Sequence, residues 1–319
     1  MKGFLSTVRA ELFKLARKRR TVVLAAFLWL LVPALLLFIG WLIQTRVAGT
    51  FADGGLNVRE LVQLVASPVS IARNLLLLLG NLSPSLLIIL VALTAALLMG
   101  EERTQNMWKT VLTVQPNRVA VLSGKLAAGM LYLGALLFGM FLSGLLWGAL
   151  GTLFLPTTFG AGLGELAGLY ALQWLFSLAA LLFAFLMVWL LRSLTLGIVA
   201  IFFLPALLEG AYGFYQVVVG FERLNRFNAL LQALRLRSTL EELPRYFFST
   251  NLYAPAREPV AALARLFGGL GGDAAVQPGS TPFGNLLAPS LSHAALVMGV
   301  YALIFGVLLF WSFARRDIV

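Results

Sequence analysis

Long apolar runs separated by short polar stretches dominate the pattern of this chain. Runs near 20 residues recur, and each is long enough as a helix to cross about 30 Å of hydrocarbon. The regular apolar–polar alternation of transmembrane strands is absent. The pattern predicts an all-α polytopic membrane protein with six transmembrane helices in one domain that covers residues 1–319. The predicted spans are residues 21–44, 82–100, 126–150, 166–191, 194–219 and 294–313.

The polar stretches predict what connects these spans. In residues 1–20, Leu5, Val8, Leu12 and Leu15 recur at helical spacing, and most of the basic residues lie elsewhere on the helix. This is typical of a helix that lies along a membrane surface. Residues 45–81 are interpreted as an outer loop. Residues 220–292, between spans five and six, are expected to be extracytoplasmic and largely helical.

Two features inside the spans predict local structure. Pro33 interrupts the first span, which neighbouring helices can tolerate in a membrane. The third span is rich in small residues and contains a GxxxG pair, Gly144 and Gly148. Small faces let membrane helices approach closely, so this span is predicted to pack tightly against another helix.

Composition narrows the class. Hydrophobic residues make up 60% of the chain and charged residues 12%, whereas ordinary domains are roughly half apolar and a quarter charged. The formal net charge of +11 does not indicate a nucleic-acid partner, because much of the basic charge flanks apolar spans, where it marks the cytoplasmic side. The absence of cysteine excludes disulfides and thiolate metal sites.

The basic residues also predict an orientation. With both termini in the cytoplasm, all five lysines of the chain fall on the cytoplasmic side. The arginine-rich residues 220–292 then lie outside, which is acceptable because loops beyond about 60 residues largely escape the charge rule. The prediction is a multi-pass protein of a plasma membrane.

Residues 101–125 form a polar island between the second and third spans. Trp108, Val111 and Leu112 share one helical face, and Pro116 ends that helix. A short amphipathic helix at a membrane surface can dock in a groove of a soluble partner. The alternative is an ordinary interfacial loop, with Trp108 at the level of the lipid head groups.

The basic amphipathic start, the six spans and this loop resemble the permease subunit of a type-2 ABC transporter. The loop residues that carry the resemblance are Glu101 or Glu102, Trp108, Lys109, Leu112, Pro116, Arg118 and Lys125. The Asn-x-Trp-Lys form at 106–109 is similar to the branch associated with export of, or protection from, bacitracin and lantibiotics. Gln105 and Asn106 stand where many such permeases have Gly-Thr.

The resemblance implies a dimer of permease subunits and two separate ATPase subunits, which bind ATP and Mg²⁺ and dock at the cytoplasmic coupling loop. The implied coupling residues are Glu101, Glu102, Asn106, Trp108, Lys109, Leu112, Pro116 and Arg118. The chain lacks the GxxxxGK[ST] phosphate loop, so it is not expected to hydrolyse ATP itself. Its apolar interior favours an exported cargo that is hydrophobic or amphipathic: a lipid, a peptide antibiotic or a drug. The expected location is a bacterial or archaeal plasma membrane.

Three residues raise other hypotheses. Glu209 is the one acid well inside a predicted span. Such a group suggests either contact with substrate or a lateral gate, or a structural role in which it reaches the outer head groups or pairs with an external arginine. Ser143 and His293 suggest an intramembrane serine protease of the rhomboid class, although position 141 is Phe where that class has Gly. An ion-coupled secondary transporter is a further alternative, which would be expected to show internal repeats and more midspan polar residues.

Overall fold

The computed structural model describes residues 2–47, 58–81, 85–100, 113, 117–220, 240, 242–256 and 290–315. Within these ranges the chain forms helices joined by turns and contains no strand. The predicted all-α class is therefore confirmed.

The helices are numbered here in chain order. They are α1 (Lys2–Arg17), α2 (Arg19–Arg46), α3 (Val58–Ala66), α4 (Pro68–Asn81), α5 (Leu86–Ala95), α6 (Arg118–Gly151), α7 (Leu163–Leu190), α8 (Leu194–Gly220), α9 (Phe248–Leu252) and α10 (Leu291–Arg315). A π-helical turn, Ala96–Gly100, extends α5, and a 3₁₀ turn, Leu243–Tyr246, precedes α9.

In the part of the chain that the structure describes, five helices are long and apolar enough to cross a membrane: α2, α6, α7, α8 and α10. They overlap the predicted first, third, fourth, fifth and sixth spans, which supports a multi-pass membrane protein. The predicted second span, residues 82–100, corresponds to the shorter apolar helix from Leu86 to Gly100.

The interpretation of residues 45–81 as an outer loop is wrong for the part that the structure describes. Helices α3 and α4 form a pair bent by 63° that is apolar enough to count as a broken span or a re-entrant loop. Val62 and Leu75 are buried in the core, whereas Arg59 and Glu60 are exposed. The charged residues interrupt the apolar pattern without preventing burial, because they lie on the exposed side of the helix.

The GxxxG pair of α6 is packed against α4, as its pattern predicts. A Cβ atom on Gly144 would lie 2.8 Å from the Ala72 Cα, and one on Gly148 would lie 2.3 Å from the Pro68 Cα. Any larger residue at either position would push the two backbones apart. The predicted close packing of this span is confirmed.

Pro33 is accommodated by a local change of helix type. A proline lacks the N–H that would bond to the carbonyl four residues earlier, here Trp29. Residues Phe27–Leu31 form a π turn directly before it, and the Trp147 indole of α6 donates to the Trp29 carbonyl at 3.2 Å. Trp29 in turn donates to the Leu136 carbonyl at 3.0 Å, so α2 and α6 are bonded twice.

Helix α7 is the centre of the bundle. In the most apolar 18-residue stretch of α7, 67% of the residues are buried. The corresponding share is 11% in α8 and 22% in α10. The bundle has two ends. We call the end that carries α1, with Gly100, Arg118 and the start of α8, the N-terminal end, and the opposite one the far end.

Candidate functional site

Helix α1 lies against the start of α6 at the N-terminal end. A Cβ on Gly124 of α6 would lie 2.8 Å from the Thr7 Cβ, so the two helices are in close contact. Of the four apolar residues that predict the buried face of α1, Leu15 is buried but Leu5 is 61% exposed. The other buried residue of α1 is an acid, Glu11.

Glu11 is buried because it pairs with a buried lysine. Lys125 of α6 has no exposed surface, and its Nζ donates to Glu11 Oε1 and, at 3.1 Å, to the Leu98 carbonyl. Lys14 Nζ lies 3.6 Å from the other Glu11 carboxylate oxygen. A buried charge is strongly unfavourable unless it is paired and hydrogen-bonded. The pair therefore fixes α1 to α6 in one position.

The same cluster holds the last turn of the α5 extension. The final carbonyls of a helix lack intrahelical partners, and cations near them are favourable. Lys125 bonds to the Leu98 carbonyl, and Lys18 donates to the Leu97 carbonyl at 3.3 Å. We call this set, Glu11, Lys14, Lys18 and Lys125 with the carbonyls of Leu97 and Leu98, the N-terminal junction.

Residues of the N-terminal junction lie on both sides of the predicted coupling loop along the chain. Gly100 ends the helix before the loop, and a Cβ there would lie 2.3 Å from the Leu194 Cδ1 at the start of α8. After the loop, Asn117 caps α6 by accepting a hydrogen bond from the Ala120 backbone N–H at 3.0 Å. Both points where the loop leaves the bundle are thus fixed by packing or capping.

The structure describes only one of the eight predicted coupling residues. Seven of the eight lie outside the described residues: Glu101, Glu102, Asn106, Trp108, Lys109, Leu112 and Pro116. Arg118 is described, and its Nη1 donates to the Ala314 carbonyl at 3.4 Å, near the end of α10. Arg118 therefore connects the start of α6 to the last span.

The far end holds a second polar cluster. It is arranged around residues 242–256, and we call these residues the inserted segment. Glu209 of α8 accepts hydrogen bonds from the Ser249 backbone N–H, at 3.3 Å, and from its hydroxyl. This carboxylate lies at the start of α9, where free N–H groups and the helix dipole favour a negative charge. Among the described residues, Glu209 thus contacts Ser249, and its expected pairing with outer head groups or an external arginine stays a prediction.

Three further spans or span ends bond to the inserted segment. Gln173 of α7 donates to the Leu252 carbonyl at 2.9 Å. Tyr301 of α10 donates to the Tyr246 carbonyl at 2.9 Å. The Ser85 hydroxyl, at the N-cap of α5, shares a hydrogen bond with the Tyr253 hydroxyl.

The far-end contacts belong to one electrostatic environment. Burial raises the pKa of Tyr253 to about 12; the hydrogen bond with Ser85 opposes this rise, and the nearby Glu209 carboxylate adds to it. Glu209 also acts electrostatically on Tyr301. We call Ser85, Gln173, Glu209 and Tyr301, together with their partners on the inserted segment, the far-end site.

The geometry does not form a serine–histidine pair. The Ser143 hydroxyl donates to the Met140 carbonyl of its own helix at 3.1 Å, and His293 Nε2 lies 3.2 Å from the Arg245 carbonyl. In the described part of the chain, the two side chains thus contact different partners on different elements.

An apolar crevice opens between the middle of α6 and the first half of α7. Its volume is about 470 Å³, and its walls include Gly134, Phe138, Tyr170 and Trp174. Gly134 leaves room for the Trp174 indole, which donates to the Met130 carbonyl at 2.8 Å. The crevice suits an alkyl chain better than a polar ligand.

Sequence reasoning missed Glu11, Ser249 and the burial of Lys125. A usable signal existed for Glu11, since it is the only acid in the basic residues 1–20. No such signal marks Ser249, because its role depends on a long-range contact with Glu209.

Comparison of the chain with protein-family profiles, with curated proteins and with solved structures gave no match.

Proposed function

We propose that this chain is the membrane-spanning permease subunit of an ATP-driven exporter of the type-2 ABC kind. In this proposal a separate ATPase subunit docks at the loop 101–125 and at α1, on the cytoplasmic side. Two ATPase subunits and a second permease subunit complete the assembly, and ATP and Mg²⁺ bind to the ATPase subunits. The membrane is a bacterial or archaeal plasma membrane, with both termini in the cytoplasm.

The observation that carries this proposal is the N-terminal junction. The buried pair of Glu11 and Lys125 ties α1 to α6, and Lys18 and Lys125 tie both to the end of the α5 extension. A push on the loop between these helices would therefore reach three helices as one unit. A flexible interfacial loop would not require a buried ion pair beside it, since such a pair is costly unless geometry is well fixed.

The cargo class follows from the rest of the bundle. The described spans are apolar, and the crevice between α6 and α7 has room for an alkyl chain. The far-end site adds polar groups at the opposite end from the proposed ATPase. A hydrophobic or amphipathic molecule, such as a lipid, a peptide antibiotic or a drug, matches both features.

The test is purification of the chain from the membranes of its source cells. We expect a second polypeptide that hydrolyses ATP to co-purify in a constant ratio. Trp108→Ala, or charge reversal by Glu101→Lys with Glu102→Lys, should remove that polypeptide and its ATPase activity. Gly164→Ala is the matched control, since nothing lies within 4 Å of a Cβ at this far-end position.

The opposite result would favour a secondary transporter. If the purified chain alone moves solute into liposomes along an imposed ion gradient, and no ATP-hydrolysing chain accompanies it, the proposal is wrong. Retention of the ATPase in both loop variants would also contradict docking at residues 101–125.

A further inference from the structure

The inserted segment is anchored inside the bundle and not at its surface. Four side chains from four elements bond to it: Ser85, Gln173, Glu209 and Tyr301. Gln173 and Tyr301 each lie ten residues after the far-end start of their helix, which is about 15 Å. Glu209 lies fifteen residues after the start of α8, and Ser85 fifteen before the end of the α5 extension, which is about 22 Å from the N-terminal end. Four helices therefore place the anchors at a similar depth, in the middle of the bundle.

The Phe248 ring of the inserted segment reaches the middle of two spans. Its centre lies 5.7 Å from that of the Phe183 ring and 5.9 Å from that of the Phe305 ring. These two residues lie about 30 Å and 21 Å along α7 and α10 from the far end. Helix α8 leads to the inserted segment from the far end, and α10 starts again at that end. The chain therefore enters the bundle and leaves it on the same side.

Helices α4 and α5 lie one after the other along α6. Near the far end, a Cβ on Gly148 of α6 would lie 2.3 Å from the Pro68 Cα at the start of α4. Nearer the N-terminal end, a Cβ on Gly129 would lie 3.1 Å from the Leu98 Cδ1 and 3.5 Å from the Thr94 Cγ2. The neighbour of α6 thus changes from α4 to α5 and its extension, and both run antiparallel to α6.

The two helices are separate, and the inserted segment contacts both of their facing ends. Helix α4 ends at Asn81. Helix α5 begins anew at Ser85, whose backbone is extended and whose hydroxyl accepts from the Ile88 N–H. A Cβ on Gly80 would lie 3.2 Å from the Tyr253 Cβ, and the Tyr253 hydroxyl shares a hydrogen bond with Ser85. Helix ends at membrane depth are tolerated only where protein covers them or water reaches them, and Tyr253 supplies such cover.

We propose that α4 and α5 are the two halves of one discontinuous span, and that the inserted segment is re-entrant and packs Tyr253 between them. The described chain then crosses the membrane six times, through α2, α4 with α5, α6, α7, α8 and α10. Its polar groups meet at the depth where transporters with discontinuous helices bind their substrates. The inference does not rest on the proposed function, since it holds equally for an ATP-driven exporter and for a secondary transporter.

The first test measures how deep the inserted segment lies, in the full chain in liposomes. The photo-crosslinker p-benzoylphenylalanine replaces Phe248, and the crosslinked peptides are identified by mass spectrometry after irradiation. We expect crosslinks in the middle of α7 or α10, around Phe183 or Phe305. The same replacement at Phe159, in the far-end turn between α6 and α7, is the control and should not reach these residues. Crosslinks from position 248 only to the first two turns of α7 or α10, or to neither helix, would overturn the inference.

The second test probes the contact with the discontinuous span. The chain contains no cysteine, and the Cβ atoms of Gly80→Cys and Ala256→Cys would lie 3.1 Å apart. This is slightly less than the roughly 3.5–4.5 Å of a disulfide, so a small shift allows the bond. After oxidation and denaturation, a maleimide coupled to polyethylene glycol counts the remaining thiols. Most chains should have lost both.

The control pair is Gly80→Cys with Gly164→Cys, which should keep both thiols because nothing lies within 4 Å of a Cβ at Gly164. Absence of the bond between positions 80 and 256, or equal oxidation of both pairs, would overturn the inference. The experiment at Phe248 leaves Gly80 in place, so it decides the question even if Gly80→Cys fails to fold.

Discussion

The two ends of the bundle hold their accessory segments in different ways. At the N-terminal end, α1 is fixed by a buried ion pair between Glu11 and Lys125. At the far end, the inserted segment is held by hydrogen bonds: the Ser249 N–H and hydroxyl donate to Glu209, and Gln173 and Tyr301 each donate to a backbone carbonyl of the segment. Removing one partner of a buried ion pair leaves a charge in an apolar medium, whereas a single hydrogen bond is exchanged at a modest net cost.

This difference bears on the role proposed for the N-terminal end. A surface that receives force from a partner has to move together with the helices it drives, and the N-terminal junction provides that rigidity. Substitutions at each end test the contrast.

The largest expected effect is at Lys125. Lys125→Met leaves Glu11 buried without its main partner, and we expect a loss of about 3–5 kcal/mol in stability. Thermal unfolding of the purified chain in detergent would show a much lower midpoint. The double variant Lys125→Met with Glu11→Leu should recover most of the loss, since a buried ion pair can be replaced by apolar residues. A double variant as unstable as the single one would contradict the pairing.

A smaller effect on stability is expected at Glu209. Glu209→Gln keeps the shape and can still accept from Ser249, so the loss should not exceed about 1.5–3 kcal/mol, the scale of one hydrogen bond to a charged group. Transport of cargo should nevertheless fall, with expression and thermal midpoint measured on the same samples. Unchanged transport would restrict Glu209 to its structural contact with Ser249.

The smallest expected effect is at Lys18. This residue is half-buried, and among its interactions is a hydrogen bond that it donates to the Leu97 carbonyl. Lys18→Met should lower stability by about 1 kcal/mol or less, and Lys18→Arg should be close to neutral because it keeps the charge near the helix end. If Lys18→Met lowered the stability as much as Lys125→Met, the difference in burial between the two lysines would not determine how much each contributes to stability.

The sequence predicted the parts of the fold that depend on long apolar runs. Helices α2, α6, α7, α8 and α10 fall where such runs occur, and the Gly144–Gly148 pair packs against α4 as expected. Helices α3 and α4 were not predicted, because Arg59, Glu60 and Arg73 break the apolar pattern of these two buried helices. A span was also predicted at full length where the structure has the short helix α5.

The candidate site was less predictable for a physical reason. Lys125 was recognised as the end of the polar loop, but its burial depends on Glu11, which is 114 residues away. The contact of Glu209 with Ser249 likewise joins residues 40 positions apart. Spacing along the sequence reports the face of a helix but not the element that covers it. The coupling residues from Glu101 to Pro116 remain predictions, because they lie outside the described residues.

The central claim is that force enters through the loop beside the N-terminal junction. It is tested most directly by replacing Trp108 with the photo-crosslinker p-benzoylphenylalanine in source-cell membranes and irradiating them, with the same replacement at Gly164 as the far-end control. The account predicts a crosslink from position 108, and none from position 164, to a chain that binds ATP. A crosslink from neither position, or labelling of position 108 from outside the cell, would contradict it.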